Sequence, residues 1–459
     1  MTISLRDYQE RAKVAVRAEM AAGRRRVVLV LPTGAGKTRV GASVCEDAVA
    51  RGNPVVWLAH RSELVEQAAS TIEGHGLRVG VIAAQSKRRP DPGAPIQVAS
   101  IQTLVARPDQ RPPCKLMIPD ECHHLSSDAE VWTALVREYP GVALLGLTAT
   151  PETGRGAGLR DMFDALVTGA TVRELTALWQ SDSTQGLVPC RVIRPDKLLD
   201  PGQIAQGPVD AYCDHAPGRQ AILFARNVEE ARRYAGEFAA RGVRAECVTG
   251  DTPDADRDAA LQLFRRGVVR VLCNVYVMTE GTDLPMAEVV ILARGAGSAG
   301  IYLQMTGRGL RPWPGKTECL LIDLRGVSHH PQIGLPDDER AFSLDGRGIS
   351  LVKGDARCAV CKELLEGGSY PCPRCQYEPT SGEGAGETTV VGMPLSAARR
   401  WGGAADEQQR TRTLLKWVRE ALARGHKPTI ARHKWRGTFG DELSATRLQW
   451  AIEEVRRVG

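Results

Sequence analysis

The sequence predicts an α/β protein: two tandem domains, each a parallel sheet covered by helices, then a small cysteine module and a helical C-terminal tail. Three observations carry this. Short apolar runs alternate with helix-period segments in two separate blocks, residues 1–182 and 190–345, the pattern of parallel strands with helices on both faces. A glycine-rich stretch, "LVLPTGAGKTRVG", lies between the first apolar run and the first helical pattern. Four cysteines in two close pairs follow the second block.

In the first block, "RVVLVL", "PVVWLA", "PIQVAS" and "VALLGL" read as strands, and "TRVGASVCEDAVA" and "RSELVEQAASTIEG" read as helices. The stretch "QSDSTQGLVP" reads as a linker. The second block repeats the scheme with "QAILFA", the helical "VEEARRYAGEFAARG", then "VRAECV", "VRVLCNV", "EVVILA" and "CLLIDL". Residues 355–378 hold the cysteine module, and residues 379–398, with "TSGEGAGETT", read as a flexible linker. In the tail, 399–459, Leu414, Trp417, Val418, Ala421 and Leu422 fall on one helical face, with Gly425 as the stop.

With 459 residues, 43% hydrophobic and 25% charged, the chain is long enough for two or three domains with cores of their own. "MTISLRDYQERAK" holds no apolar signal core and no run reaches bilayer length, so a cytoplasmic protein is expected. Eight cysteines are scattered singly among mostly apolar neighbours, as reduced core thiols are. The net charge of +6 is concentrated in residues 399–459, with 14 Lys/Arg against 7 Asp/Glu, so a partner attracted by positive charge would meet the tail.

The glycine-rich stretch has the form of a phosphate cradle. Backbone N–H groups of Thr33, Gly34, Ala35, Gly36 and Lys37 can wrap a phosphate, Lys37 can reach the β/γ-phosphates, and the Thr38 hydroxyl can take Mg²⁺. Leu31 stands where the general pattern has glycine. Further on, "IPDECHH" packs five potential metal ligands into consecutive positions. Side chains alternate along a strand, so they cannot converge on one tetrahedral ion. With the cradle upstream, Asp120 reads instead as the magnesium-binding acid and Glu121 as the base that orients the attacking water.

The cysteine quartet reads Cys358-x₂-Cys361-x₁₀-Cys372-x₂-Cys375. Two such knuckles can clasp one tetrahedral zinc, which would be structural because four thiolates leave no open position. A redox pair is the alternative, but it calls for a helix N-terminus and no second knuckle.

"LPTGAGKT", "DECHH", "LTATP" and "QMTGRGLRP", in that order over about residues 1–330, resemble motifs I, II, III and VI of superfamily 2 helicases. With "LRDYQ", "LAHRSELVEQ" and "TEGTDLP", the chain resembles the bacterial RadD-like group of DNA-repair helicases. The resemblance implies two RecA-like domains that hydrolyse ATP with Mg²⁺ at their interface and move along a nucleic acid, DNA in preference to RNA, with repair or replication proteins as partners and a nucleoid association when bound. Gln9, with Arg6 beside it, would contact adenine. His60, Arg61 and Gln67, with Thr103 further on and Thr279 in the second domain, would contact nucleic acid. Glu280, Gly281 and Asp283 would sit between nucleotide and strand, and Gln304, Arg308 and Arg311 would reach the γ-phosphate. His123 would couple the nucleotide site to motifs III and VI, with His124 left to local packing.

Two departures stand out: Pro119 precedes Asp120, and Cys122 replaces the alanine of the commoner motif II. The segment "HKPTIARHKWRGTFGDE" resembles the ends of several phage and bacterial helicases, so Arg432, Lys434 and Arg436, around Trp435, would form a nucleic-acid patch. Trp417, Trp435 and Trp450 read as core residues of a small module rather than stacking platforms. An ATPase that remodels nucleic acid without separating strands, and a nucleotide-switched zinc-containing binding protein, are the other readings.

Overall fold

A computed structural model of the chain describes residues 4–399 apart from 85, 87, 127–128, 152–157, 276–282, 346–349, 352–355, 358–363 and 366–387; beyond 399 it describes only scattered helical positions. All four cysteines of the quartet, Thr279, Glu280 and Gly281, and Arg432, Lys434 and Arg436 lie outside the described residues.

The first domain opens with α1 (Asp7–Ala21), whose Tyr8, Ala12 and Val16 repeat every four residues and are buried. β1 (Arg26–Val30) and α2 (Lys37–Ala50) follow, then β2 (Val55–Ala59), α3 (Ser62–Gly74), β3 (Val79–Ile82), β4 (Ile96–Ser100), α4 (Ile101–Ala106), β5 (Leu116–Pro119), α5 (Ala129–Arg137), β6 (Ala143–Thr148), β7 (Ala165–Thr168) and α6 (Val172–Ser181). They form a seven-stranded sheet in the order β3-β4-β2-β5-β6-β1-β7. Every pairing in it is parallel. Trp57, at the middle of β2, is fully buried, and α2 can close on it because residue 41 is glycine: an added Cβ there would lie 2.6 Å from the indole. Pro119 is the last residue of β5, where a missing N–H costs the ladder least.

The linker stretch is shorter than expected, because α6 runs through Ser181. Residues 182–189 then cross to the second domain, with Val188 N–H donating to Leu310 O.

That domain contains β8 (Cys190–Arg194), β9 (Gln203–Ile204), α7 (Pro208–His215), β10 (Ala221–Phe224), α8 (Val228–Ala240), β11 (Ala245–Val248), α9 (Asp254–Arg265), β12 (Val271–Asn274), β13 (Val289–Leu292), α10 (Ala299–Gly307) and β14 (Cys319–Asp323). The short strands β15 (Arg340–Ala341) and β16 (Ser350–Leu351) pair with each other, as do β17 (Ala356–Arg357) and β18 (Leu364–Leu365). β19 (Thr389–Val390) pairs with β9, and β20 (Ser396–Arg399) runs antiparallel to β8. The second sheet has the order β11-β12-β10-β13-β14-β8-β20.

β19 and β20 correct the reading of 379–398 as a flexible linker. Its low-complexity half is not described, but residues 388–398 are built onto the second domain: Thr389, Val391 and Met393 N–H groups bond Gly202, Ile204 and Ala205 carbonyls at 2.8–3.0 Å. The reason is an open edge. β8 is left with an unpaired side, and a returning strand satisfies it. In the tail, Leu414 and Val418 are helical and buried, and Leu422 is helical and half-buried. No helix among the described residues is long and apolar enough to cross a membrane.

A strap ties the end of the second domain back to the first. Asp323, fully buried at the end of β14, accepts from Val327 N–H, Ser328 N–H and the Ser328 hydroxyl at 2.7–2.9 Å. Arg340 then gathers the carbonyls of Ile333, Leu335, Pro336 and Asp338. Four residues later Leu344 is buried in the first domain, and its carbonyl accepts from Leu159 and Arg160 N–H at 2.9 and 3.0 Å.

Candidate active site

The loop between β1 and α2 is curled by two glycines. Gly34 and Gly36 have φ of +86° and +82°, which residues with a Cβ rarely adopt, and Gly36 is the N-cap of α2. The unpaired N–H groups of that helix start, its dipole and the adjoining loop suit an anion. The loop is clasped on two sides: an added Cβ at Gly36 would run into the Gln9 amide, and one at Gly34 would lie 2.9 Å from Arg311 Cγ of the second domain.

Gln9 is 2% exposed and its amide is engaged at both ends: Oε1 accepts from Arg6 N–H and Nε2 donates to Ala35 O, each at 3.0 Å. It braces the cradle, and each end of the amide keeps hydrogen-bonding capacity beyond these two bonds. Arg6 donates to Thr184 O of the crossing segment at 3.1 Å. Thr38 is half-buried in the first turn of α2.

Asp120 and Glu121 follow β5 at the same end of the sheet. Asp120 N–H donates to Leu58 O at 2.8 Å, and its Oδ1 accepts from Glu121 N–H at 3.0 Å. Glu121 is the one non-glycine residue with positive φ, +47°, among the described residues; strain of this kind gathers at functional sites. Its Oε1 lies 3.5 Å from Lys37 Nζ and its Oε2 3.5 Å from His123 Nδ1. Cys122 points the other way, into the core, where an added Cβ on Gly146 would lie 2.8 Å from its sulfur. Burial, helped by the Glu121 and Asp120 carboxylates, pushes its thiol well up, so it packs as a neutral group.

His123 links three motifs. Gln304 Nε2 on α10 is 3.0 Å from His123 Nε2, and His123 Nδ1 is 3.0 Å from Thr148 Oγ1. Thr148 in turn donates to Thr150 O at 2.7 Å. The arrangement is consistent with one tautomer: Nε2 accepts from the amide, and Nδ1–H donates to the threonine. A buried hydrogen-bonded chain therefore runs from the end of β6 through His123 to the second domain. His124 packs against His123 and His60, with ring centroids 4.2 Å apart in each case.

α10 stops at Gly307, where an added Cβ would lie 2.6 Å from Thr33, and Arg308 and Arg311 lie in the turns beyond it. Arg308 is buried, while Arg311 lies over Gly34 and pairs with Asp283.

The expected nucleic-acid contacts are less uniform. His60 is half-buried after β2, Arg61 is the N-cap of α3, and Gln67 is exposed on that helix. Thr103 departs from expectation: it is 7% exposed and its hydroxyl accepts from Ala84 N–H at 3.2 Å, so it ties the first turn of α4 to the chain beyond β3 and is withdrawn from a passing strand. No three His, Cys, Asp or Glu side chains among the described residues converge as a metal cage.

Sequence reasoning passed over Lys316, Arg340 and the strap. Lys316 meets carbonyls 31 and 29 residues earlier and Leu344 docks on Leu159 and Arg160, pairings no local spacing announces, whereas Arg340 organises carbonyls of its own turn.

A phosphate cradle and an acidic pair on one parallel sheet, faced by arginines and a glutamine from a second, define a two-domain nucleotide-driven motor. Residues 2–153 match the family model "Type III restriction enzyme, res subunit", and residues 207–312 match "Helicase conserved C-terminal domain". A "51.5 kDa protein" of Lactococcus phage (isolate 7-9) is 29% identical over 75% of this chain and 73% of its own length. The fission yeast (Schizosaccharomyces pombe) protein named "Putative mitochondrial ATP-dependent helicase irc3" is 30% identical over 73% of this chain and 61% of its own. "DNA 3'-5' translocase XPB2" of Sulfurisphaera tokodaii is 25% identical over 70% and 81%. Among solved structures, the Type ISP restriction-modification enzyme LlaBIII bound to DNA aligns with a TM-score of 0.52 at 16% identity, over 70% of this chain and 28% of that one. Dbp5 of S. cerevisiae bound to RNA and ADP BeF3 aligns at 0.51 and 17%, over 69% and 83%. The chain is an ATP-hydrolysing member of helicase superfamily 2, with tandem RecA-like domains.

Proposed function

We propose that this motor acts on DNA, closing its two domains on ATP and stepping along a strand, with a RadD-like role in repair. The observation that carries the mechanism is the contact chain from Lys37 through Glu121 and His123 to Gln304, which joins the cradle to the second domain. In this reading the 33–37 loop and Lys37 hold the phosphates, and Thr38 and Asp120 hold Mg²⁺. Glu121 orients the water, Asp283 contacts the nucleotide, and Gln304, Arg308 and Arg311 meet the γ-phosphate. His60, Arg61, Gln67 and Thr279 contact the strand. The choice of DNA is supported by the names of the S. tokodaii translocase and the DNA-bound LlaBIII; the RNA-bound Dbp5 has the same fold and is the alternative. ATP turnover with single-stranded DNA, duplex DNA, forked DNA and RNA in parallel tests this. Stimulation by RNA alone would overturn it. The basic tail, with Arg432, Lys434 and Arg436, adds phosphate contacts, so removing residues 400–459 should flatten the salt dependence of binding. Truncation at 391 would confound that comparison, because it deletes β20.

The quartet Cys358, Cys361, Cys372 and Cys375 holds one structural zinc. The reading is supported by the sequence spacing of the two CxxC pairs; β17 and β18, which flank the first pair in sequence, are antiparallel partners. Metal analysis should find one zinc per chain, lost in Cys358→Ser, with ATP turnover in the absence of nucleic acid retained. A metal-free wild-type protein would refute the assignment.

A further inference from the structure

We infer that Lys316 is a positioning residue for Arg311, fixing the arginine's loop against the segment that carries Asp283. The proposal rests on the reading of Arg311 as a γ-phosphate ligand. Lys316 is 5% exposed, and its Nζ donates to Pro285 O at 3.0 Å, Ala287 O at 2.5 Å and Arg311 O at 3.0 Å. An ammonium has three protons, and here each has a carbonyl, which is what allows the charge to stay buried.

The acceptors form a pattern. Two belong to the chain just beyond Asp283, the partner of the Arg311 guanidinium, and the third is the carbonyl of Arg311 itself. One ion pair and one buried cation thus close a ring around the same arginine. Beyond the buried Leu310, Trp313, Pro314 and Gly315 are exposed, Trp313 at 45%, and Lys316 is the first buried residue after them. Without the cation, Arg311 would hang on an exposed turn.

The groups that face Lys316 are Cys319, Glu288, Arg219 and Arg311, and Arg219 is itself paired with Glu288 and Glu318. Burial, partly offset by Cys319 and Glu288, pushes Lys316 down to about 8. The folded state therefore holds this proton less tightly than the unfolded chain, whose lysine titrates near 10.5. As pH rises from about 8 toward 10.5, the cost of burying the cation disappears, so the residue's contribution to stability rises, while the neutral amine, with two N–H groups for three carbonyls and no charge, holds the Arg311 carbonyl less firmly. Stability and turnover should move in opposite directions.

The test uses the full chain, with kcat and KM for ATP and the Kd of a fluorescent ADP measured from pH 7 to 9.5. Lys316→Met should keep ADP affinity within about twofold, since the cradle is in the other domain, and should lower kcat roughly 10- to 100-fold, the scale of a small misplacement of a reacting group. Wild-type kcat should fall through pH 8–9, and Lys316→Met should lack that alkaline limb. Lys316→Arg, a cation at every pH used, should recover part of kcat with a flat profile; if it fails to fold, the Lys316→Met profile decides. Wild-type kcat with the same alkaline limb in Lys316→Met would overturn the proposal. So would parallel loss of ADP binding and turnover, which would make Lys316 a residue of the fold alone. Loss of turnover in Arg311→Lys tests the underlying reading separately.

Discussion

Replacing Arg311 with alanine should slow ATP turnover roughly 10³-fold or more while leaving ADP affinity largely intact. The two effects separate because the side chain comes from beyond α10 and the cradle from the β1–α2 loop; Arg311 lies on Gly34 from across the cleft. Its guanidinium is paired with the exposed Asp283 carboxylate. A γ-phosphate would compete for it, so the arginine's full contribution appears only when the cleft closes on triphosphate. Steady-state hydrolysis beside ADP titration measures both quantities. Equal losses of the two would indicate misfolding.

Glu121→Gln should bind ATP at least as tightly as the wild type and lose roughly 10²- to 10⁴-fold in turnover. The amide keeps the shape of the side chain, including its unusual backbone position at φ +47°, and removes only the charge. Lys37, 3.5 Å away, would lose a competing anion and keep its phosphate. Single-turnover hydrolysis is the decisive measurement, and a near-wild-type rate would remove Glu121 from its assigned role.

How much of this was legible in the sequence depends on the range of the physics. The strands around Trp57 and Leu223 and the helices α2, α3 and α8 announce themselves through apolar period, because a buried face repeats locally. The cradle and the Asp120–Glu121 pair are legible for the same reason: each is a short stretch whose chemistry needs consecutive residues. β20 was not, since a strand that caps the free edge of β8 is determined by that edge, some 200 residues earlier in the chain. Thr103 was misplaced because a threonine at a helix start looks alike whether it faces a phosphate or the Ala84 amide. The end of α10 at Gly307 was not legible either, because there the chain passes close against Thr33 of the other domain.

The strap sets a limit on travel. Arg340 is fastened to carbonyls of the second domain and Leu344 to amides of the first, and four residues reach roughly 14 Å when fully drawn out. While Leu344 stays docked, two bodies leashed that tightly at one margin pivot more readily than they separate, with the leash near the fulcrum. The second covalent crossing, residues 182–189, is a further tether. The working stroke is therefore an angular one, and the length of each step along a strand follows from how far the free margin swings.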